Sequence, residues 1–336
     1  MIPAQIYCTA KQVMDDLHLR GFEDRADLME RIKAASDFIQ RRAGNFIPIT
    51  DVMKFGARPG HEYDPLYLSP LLSVTTLKNN GADVVDYALG PYNRMWPNGP
   101  YIVVEQDGAW GLEDNVEIAG TWGLYDSSAA LGLTITQSTS SEITLVATNG
   151  SLLSPGMVVL IESEQELITA GAGGKGSPAG SSATSLLNGS ITASDEEITV
   201  DNGAEFFQGE VIQIGVEDLF ISKIGGNVLA VGRGWNGTAA AGHADDSSIK
   251  VYRTFSVIRG VNGTTAAAHS SKAVSQYVAP DTVNYLCRQI AALMRMKAES
   301  GFSGVTGNSE GGTGRYYSEF PPNQIDRVLN QFNVGE

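Results

Sequence analysis

Cysteine is nearly missing from this chain. Cys8 and Cys287 are the only two, and they lie far apart in sequence. They supply neither a disulfide framework nor a metal-ligand spacing, and Cys287, set in a helical pattern, reads as a small buried apolar residue. Positive charge is also short: 23 Lys and Arg stand against 38 Asp and Glu, a net charge of −15. The acidic excess is spread along the chain and forms no tail. Without basic clusters, gripping phosphate is excluded as the main task, although a surface past which DNA slides is still allowed. No apolar run approaches the ~20 residues of a membrane span. The first residues show no basic stretch leading into an apolar one, so no secretory leader is expected. Stacking platforms are thin in 127–278, where Trp235, Tyr252 and Tyr277 are the only Trp and Tyr. Glycine, at 38 residues, is plentiful and implies many turns.

What is present is a motif written twice. Residues 233–243 read RGWNGTAAAGH and residues 259–269 read RGVNGTTAAAH. Each follows an apolar run, Val228-Leu229-Ala230-Val231 in one copy and Phe255-Ser256-Val257-Ile258 in the other. Upstream, Gly209 to Ile214 precedes Glu217 and Leu219-Phe220-Ile221. Its counterpart, Gly156 to Ile161, precedes Glu164 or Glu166 and then Leu167-Ile168. Further back, Ile198-Thr199-Val200 matches Ile143-Thr144-Leu145. Two openings therefore come in a row, then two closings. Two modules side by side would alternate. The order open, open, close, close points to one β module inserted into a loop of another.

Around this region the periodicity is helical. Thr9, with Gln12 three positions on, predicts a capped short helix that Gly21 ends. Residues 23–43 predict a longer helix with Leu28, Ile32, Ala35 and Ile39 on one face. Residues 46–125 break into short strands, with a hairpin at Asn80-Gly81. Residues 171–185, mostly Gly, Ala, Ser and Pro, read as a mobile surface loop. Residues 280–298 return to helix with Val283, Leu286, Ile290 and Leu293 as its stripe. Residues 300–314 read as a flexible Gly-rich arm and 321–333 as a C-terminal helix. The expected fold class is α+β: a helical core with a small antiparallel sheet, plus an inserted all-β region of two nested, repeated small β modules. The core takes 1–126 with 277–336. The insertion takes 127–276, its outer module 133–172 plus 253–276 and its nested module 187–252. The helices of the two ends are expected to pack on each other and on the first sheet.

Four stretches make this outer plan resemble the head–tail connector (adaptor, head-completion) proteins of tailed bacteriophages. They are TAKQVMDDLHLRGFEDRADLMERIKAASDFIQRRAGNF, LYLSPLLSVTTLKNNG, NVEIAGTWGLYD and VAPDTVNYLCRQIAALMRMKAES, in that order over most of 1–126 and 277–336. In family members the Trp-Gly strand runs almost directly into the Pro-Asp helix, whereas here about 150 residues intervene. The resemblance implies a non-enzymatic virion protein. It would form a homo-oligomeric ring, twelve-fold by the resemblance, below the portal protein, joining the DNA-filled head to the tail. Its partners would be other copies of itself, the portal, tail or further neck proteins, and double-stranded DNA passing through the lumen without specific binding. No membrane, cofactor or metal is implied. Its place would be the head–tail interface of the virion, after assembly in the host cytoplasm. The rival reading is a host-attachment or carbohydrate-binding β protein of a virion, which the few aromatics of 127–278 support poorly.

Candidate chemistry is sparse. His243 and His269 occupy matching places and read as hydrogen-bonding backbone to pin their turns, since no second His or Cys stands at ligand spacing. Glu162, Glu164 and Glu166 alternate and read as a solvated strand face that discourages edge pairing. Asn149, Asn188, Asn236 and Asn262 begin Asn-Gly-Ser/Thr and read as turns rather than glycosylation acceptors. Arg31, Lys33, Arg41 and Arg42 give the second helix a basic side suited to a neighbouring subunit or the channel. Beyond the arm, Tyr316, Tyr317, Phe320, Ile325, Val328, Leu329 and Phe332 form an apolar cluster expected to bind a partner.

Overall fold

The computed structural model describes residues 5–18, 25–56, 65–92, 99–106, 110, 114–171, 181–299, 305–306, 315–316 and 322–332. Helix α1 (Ala10–Asp16) starts at Thr9. The Thr9 hydroxyl accepts from the Gln12 backbone N–H at 3.2 Å and the Gln12 amide oxygen accepts from the Thr9 N–H at 2.9 Å, a reciprocal cap. Helix α2 (Arg25–Ala43) buries Leu28, Ile32, Ala35 and Ile39 completely. Each such Leu or Ile contributes ~1.5–3 kcal/mol as an upper estimate. Gly44, at φ +102°, ends the helix. Helix α3 (Asp281–Glu299) lies against α2 and ties Arg31 to its C-terminal half through the Met294 carbonyl at 2.9 Å. None of these helices is long and apolar enough to cross a membrane.

The first sheet holds β1 (Ile49–Gly56), β2 (Leu66–Asn79), β3 (Ala82–Asp83), β4 (Tyr87–Gly90), β5 (Tyr101–Gln106) and β6 (Asn115–Trp122), ordered β1-β6-β2-β5-β4 with β3 on β2. Its apolar side, with Leu71, Leu77, Val104, Ile118 and Trp122, makes a core of its own. The helices do not supply that core. They form a second cluster among themselves with Phe46, Ile47 and Leu124, joined by Val158 and Val261 from the β region.

The chain leaves this body at Ser127 and returns at Val278, whose N–H donates to the Ser127 carbonyl at 3.1 Å. In between, β7 (Ser128–Gln137), β8 (Thr144–Ala147), β9 (Val158–Ile161) and β10 (Glu164–Gly171) come first. Then follow β11 (Ser181–Leu186), β12 (Glu197–Thr199), β13 (Val211–Ile214), β14 (Glu217–Gly225), β15 (Val228–Trp235) and β16 (Ser248–Val251), and finally β17 (Thr254–Ile258) and β18 (His269–Tyr277). Strands β10-β17-β8-β7-β18-β9 close into a barrel around Ile135, Leu145, Ile161, Ile168 and Phe255. The other six, β11-β16-β13-β14-β15-β12, follow the same cyclic order with one seam ajar: β11 and β12 touch only by the single bridge Leu187–Val200 beyond the strand ends. The chain ends with the short pair β19 (Val305–Thr306) and β20 (Arg315–Tyr316), then α4 (Pro322–Leu329).

This corrects the expected fold class. About 45% of the structure is strand and 22% helix, with a closed six-stranded barrel, an incomplete second barrel and four α-helices among the described residues. It is not a helical core with a small sheet. A long amphipathic helix announces itself by one stripe, whereas four-residue strands joined by Asn-Gly turns carry little periodicity each. Two smaller readings change too. Within 171–185, Gly171 ends β10 and residues 181–185 belong to β11, so a loop is excluded there; residues 172–180 lie outside the described residues. Strand β12 matches β8 through Ile198 and Leu145, not Ile198 and Ile143: each is buried on a strand that leads to an Asn-capped turn, at Asn202 and at Asn149.

Candidate functional site

The repeated motif is a list of local demands. After β17 the backbone must turn sharply at Gly260 (φ +58°), where a Cβ would stand 2.9 Å from the Thr264 carbonyl; Gly234 (φ +59°) meets the Thr238 carbonyl at 2.8 Å in the other copy. Asn262 and Asn236 also sit at positive φ, which Asn tolerates better than most residues. The Thr264 hydroxyl donates to the Val261 carbonyl at 2.9 Å and accepts from the Gln165 N–H at 2.9 Å. Thr238 repeats both bonds, to the Trp235 carbonyl at 2.8 Å and from the Asp218 N–H at 3.0 Å.

The motif's arginine reaches back to the first residue of the opening strand. Arg259 holds Glu164 in a fork, Nε to Oε1 at 2.8 Å and Nη2 to Oε2 at 2.7 Å. Its other N–H groups donate to the carbonyls of Glu142 (3.0 Å), Thr139 (3.2 Å) and Ala267. The backbone N–H groups of Gly260 and Ala267 donate to Glu164, and His269 Nε2 lies 2.9 Å from its Oε2. The inner copy is the same set. Arg233 forks onto Glu217 at 2.7 and 2.8 Å and donates to the carbonyls of Thr192, Asp195 and Ala241. Gly234 and Ala241 donate to Glu217, and His243 Nε2 is 2.8 Å from it. Burial by itself would raise both carboxyl pKa values; the arginine fork, the backbone N–H donors and the histidine outweigh it and hold each at about 2. Both arginines are pushed above their ordinary value, chiefly by the carboxylate each holds. Such charge-assisted forks stitch strands that are distant in sequence.

Three readings of the carboxylates and histidines are therefore overturned. Glu164 and Glu166 are buried, at 1% and 0% exposure, and are not a solvated strand face. Glu162 lies off the strand in the β9–β10 turn at φ +56°, paired with Lys272 at 2.6 Å, which holds its pKa below the ordinary value. The histidines pin their turns through a carboxylate, not through backbone. Glu166 has the opposite environment to Glu164. Burial pushes its pKa up to about 7, and the Arg259 guanidinium 2.9 Å away does not offset this because it is already shared with Glu164. Its carboxylate accepts from the Gln137 amide at 3.1 Å. Ligand atoms of Glu164, Glu166 and His269 gather within 4.8 Å of one another. Arg259 fills the space a cation would need, so the donor set does not fit a metal. Nor does Glu164 fit a general base, with five donors already on its two oxygens.

What the outer turn does is mechanical. Gly263 presses on β1 so closely that a Cβ there would stand 1.9 Å from the Thr50 carbonyl. Gln165 donates to the Pro48 carbonyl at 2.9 Å and accepts from the Asn262 amide at 2.9 Å. Val261 and Val158 enter the helical cluster, and the Ala10 N–H donates to the Pro155 carbonyl at 3.2 Å. The barrel is thus clamped to the helix-and-sheet body. A second clamp joins the two modules: Glu210 accepts from Arg253 at 2.7 and 2.8 Å and from the Gly150 and Phe207 N–H groups at 2.9 and 3.0 Å.

The residues selected from sequence as contacts lie elsewhere, and many are taken up within the chain. Ile325, Leu329 and Phe332 are buried in the helical cluster, Phe332 edge-on to Phe46 with ring centroids 5.0 Å apart, and Val328 packs beside them. Tyr316 is in β20; Tyr317 and Phe320 lie outside the described residues. Arg42 pairs with Asp326 of α4 at 3.1 Å and Lys33 with Asp37 at 3.6 Å, Arg31 bonds α3, and Arg41 is exposed. The sequence reading passed over Glu164 with Arg259, Glu217 with Arg233, Gln165 and the anchoring turn. The arginine opening each copy of the motif, with a glutamate just upstream of each apolar strand, was the available signal. Compared with known protein families, curated proteins and solved structures, the chain matches none.

Proposed function

We propose that this chain is a non-enzymatic structural adaptor of a tailed-phage neck, a subunit of a ring below the portal that joins head to tail and lines the DNA exit channel. The observation that carries the reading is one of order. The four stretches that resemble head–tail connectors, split by about 150 residues, form a helical cluster and a sheet outside the β region, and that region leaves and returns through adjacent, hydrogen-bonded residues, Ser127 and Val278. A scaffold that keeps its own plan while carrying a clamped β projection suits a load-bearing assembly part. The net charge of −15 suits a channel that must not grip DNA. The buried Glu164 and Glu217 support this reading as well, since both serve as strand clasps. The carbohydrate-binding rival loses its best platform, because Trp235 stacks on Phe220 at 4.6 Å between centroids and is half-buried. Negative-stain imaging of the recombinant full chain, alone and mixed with its portal, tests the proposal. Rings with a central hole are expected. A monomer that forms no ring under either condition overturns it.

A further inference from the structure

The two cysteines meet. Cys8 lies just ahead of α1 and Cys287 sits in α3, yet their sulfurs are 3.3 Å apart, with Cys8 2% and Cys287 0% exposed. The Ser36 hydroxyl is 3.4 Å from the Cys287 sulfur and accepts from the Tyr7 N–H at 3.2 Å, so the pair sits in a polar pocket of the helical cluster. A cavity of roughly 230 Å³ opens onto this place, lined by Cys8 together with Thr9, Gln12, Asn284 and Arg288. That is room for several water-sized molecules. We propose that Cys8 and Cys287 are an oxidation site, at which a hydroperoxide entering this cavity converts the pair into a disulfide that staples the N-terminal segment to α3.

The chemistry balances with the peroxide as the oxidant. The Cys8 sulfur takes one oxygen as the O–O bond breaks, giving a sulfenic acid; the Cys8 proton goes to the departing oxygen, which leaves as water or an alcohol. The Cys287 sulfur then attacks the Cys8 sulfur, the S–O bond breaks, and that oxygen leaves as water with the Cys287 proton. Two electrons pass from the thiol pair to the peroxide. Proton placement favours the second step and works against the first, which Cys8 makes from its protonated form and which rests on the cavity bringing the peroxide to its sulfur. Burial works against a Cys287 thiolate, but hydrogen bonds from Cys8, Ser36 and the backbone of Tyr7 and Cys8 outweigh it and lower its pKa, while the bond to Cys287 and burial raise that of Cys8. The sulfurs must approach by about an ångström to bond, which side-chain rotation and small helix shifts supply. The link would close a loop of nearly the whole chain, where the chain-entropy effect of a cross-link is largest. The inference stands apart from the adaptor reading.

The test uses the full chain, purified reduced, desalted and treated with hydrogen peroxide at neutral pH. Thiol titration in denaturant should fall from two groups to none, the intact mass should drop by two hydrogens, and a non-reduced peptide map should hold a Cys8–Cys287 cross-link. The melting temperature should rise by roughly 5 °C and return with dithiothreitol. Cys8→Ser should abolish the mass loss. Two thiols surviving in the folded chain under peroxide that oxidises the unfolded one would overturn the proposal. So would oxygen addition without loss of hydrogen, or cross-links found only between chains. If Cys8→Ser does not fold, the wild-type peptide map decides alone.

Discussion

The barrel and the incomplete barrel inserted in it are two versions of one module, and their differences are more instructive than their likeness. Both carry the Glu–Arg–His clasp with the same backbone donors. The outer copy closes all six strands, and the inner copy leaves β11 and β12 joined by one bridge. The outer turn, with Asn262 1% exposed, is sunk against β1; the inner turn puts a half-buried Trp235 where the outer has Val261. The outer core holds a second acid, Glu166, where the inner core has Leu219. The clasp is therefore what makes the module, and closure and docking are set by what surrounds it.

Breaking the clasp should separate the copies most. Arg233→Leu leaves Glu217 buried without its counter-charge and should cost about 3–5 kcal/mol. Arg259→Leu strands both Glu164 and Glu166 and should cost more, with the loss spreading to the helix-and-sheet body that this module clamps. Urea titration followed by hydrogen exchange of α2 and β6 checks both; equal costs would erase the distinction drawn here. The wild type also carries an acid signature. Glu164 and Glu217, held at about 2, contribute stability that is fully present above their ordinary pKa near 4.5 and is lost as pH falls toward 2.

A smaller effect tests the docking. Gly263→Ala places a Cβ against the Thr50 carbonyl at φ +80° and should cost about 2–4 kcal/mol. Gly226→Ala, at φ +64° in the inner module with open space around it, isolates the backbone cost of ~1 kcal/mol. If the two match in thermal unfolding, the turn is not an anchor.

The smallest effect should be a gain. Glu166→Leu copies the inner core and should stabilise the barrel by about 1–2 kcal/mol at pH 7.5. The sign follows from its raised pKa of about 7. The folded chain keeps the Glu166 proton while the unfolded chain releases it above the ordinary value, so the fold is penalised as pH rises from about 4.5 to 7 and the penalty is constant beyond. The gain should therefore fade at pH 4.5. A gain that is the same at both pH values would remove Glu166 from the explanation.

The sequence by itself determined what depends on near neighbours. Thr9 with Gln12 specified a cap, Leu28 to Ile39 a buried helical stripe, and Gly, Asn and Thr in RG-x-NGT a turn whose bonds close within a few residues. Helical and turn signals are read over a handful of positions, and here the cap, the stripe and the turns held, whereas the stop expected at Gly21 did not: α1 ends at Asp16 with Leu17 as its C-cap. Only the tertiary structure decided which of Glu162, Glu164 and Glu166 is buried, because the answer lies in Arg259, 95 residues from Glu164. It alone brought Cys8 to Cys287 and seated Ile325, Leu329 and Phe332 on the chain's own core. It also decided that β-structure outweighs helix, since a four-residue strand gains its stability from partners across a ladder and not from its own pattern. A carboxylate's burial, a thiol's neighbour and a strand's closure are all fixed by charges and surfaces that meet only once the chain has folded.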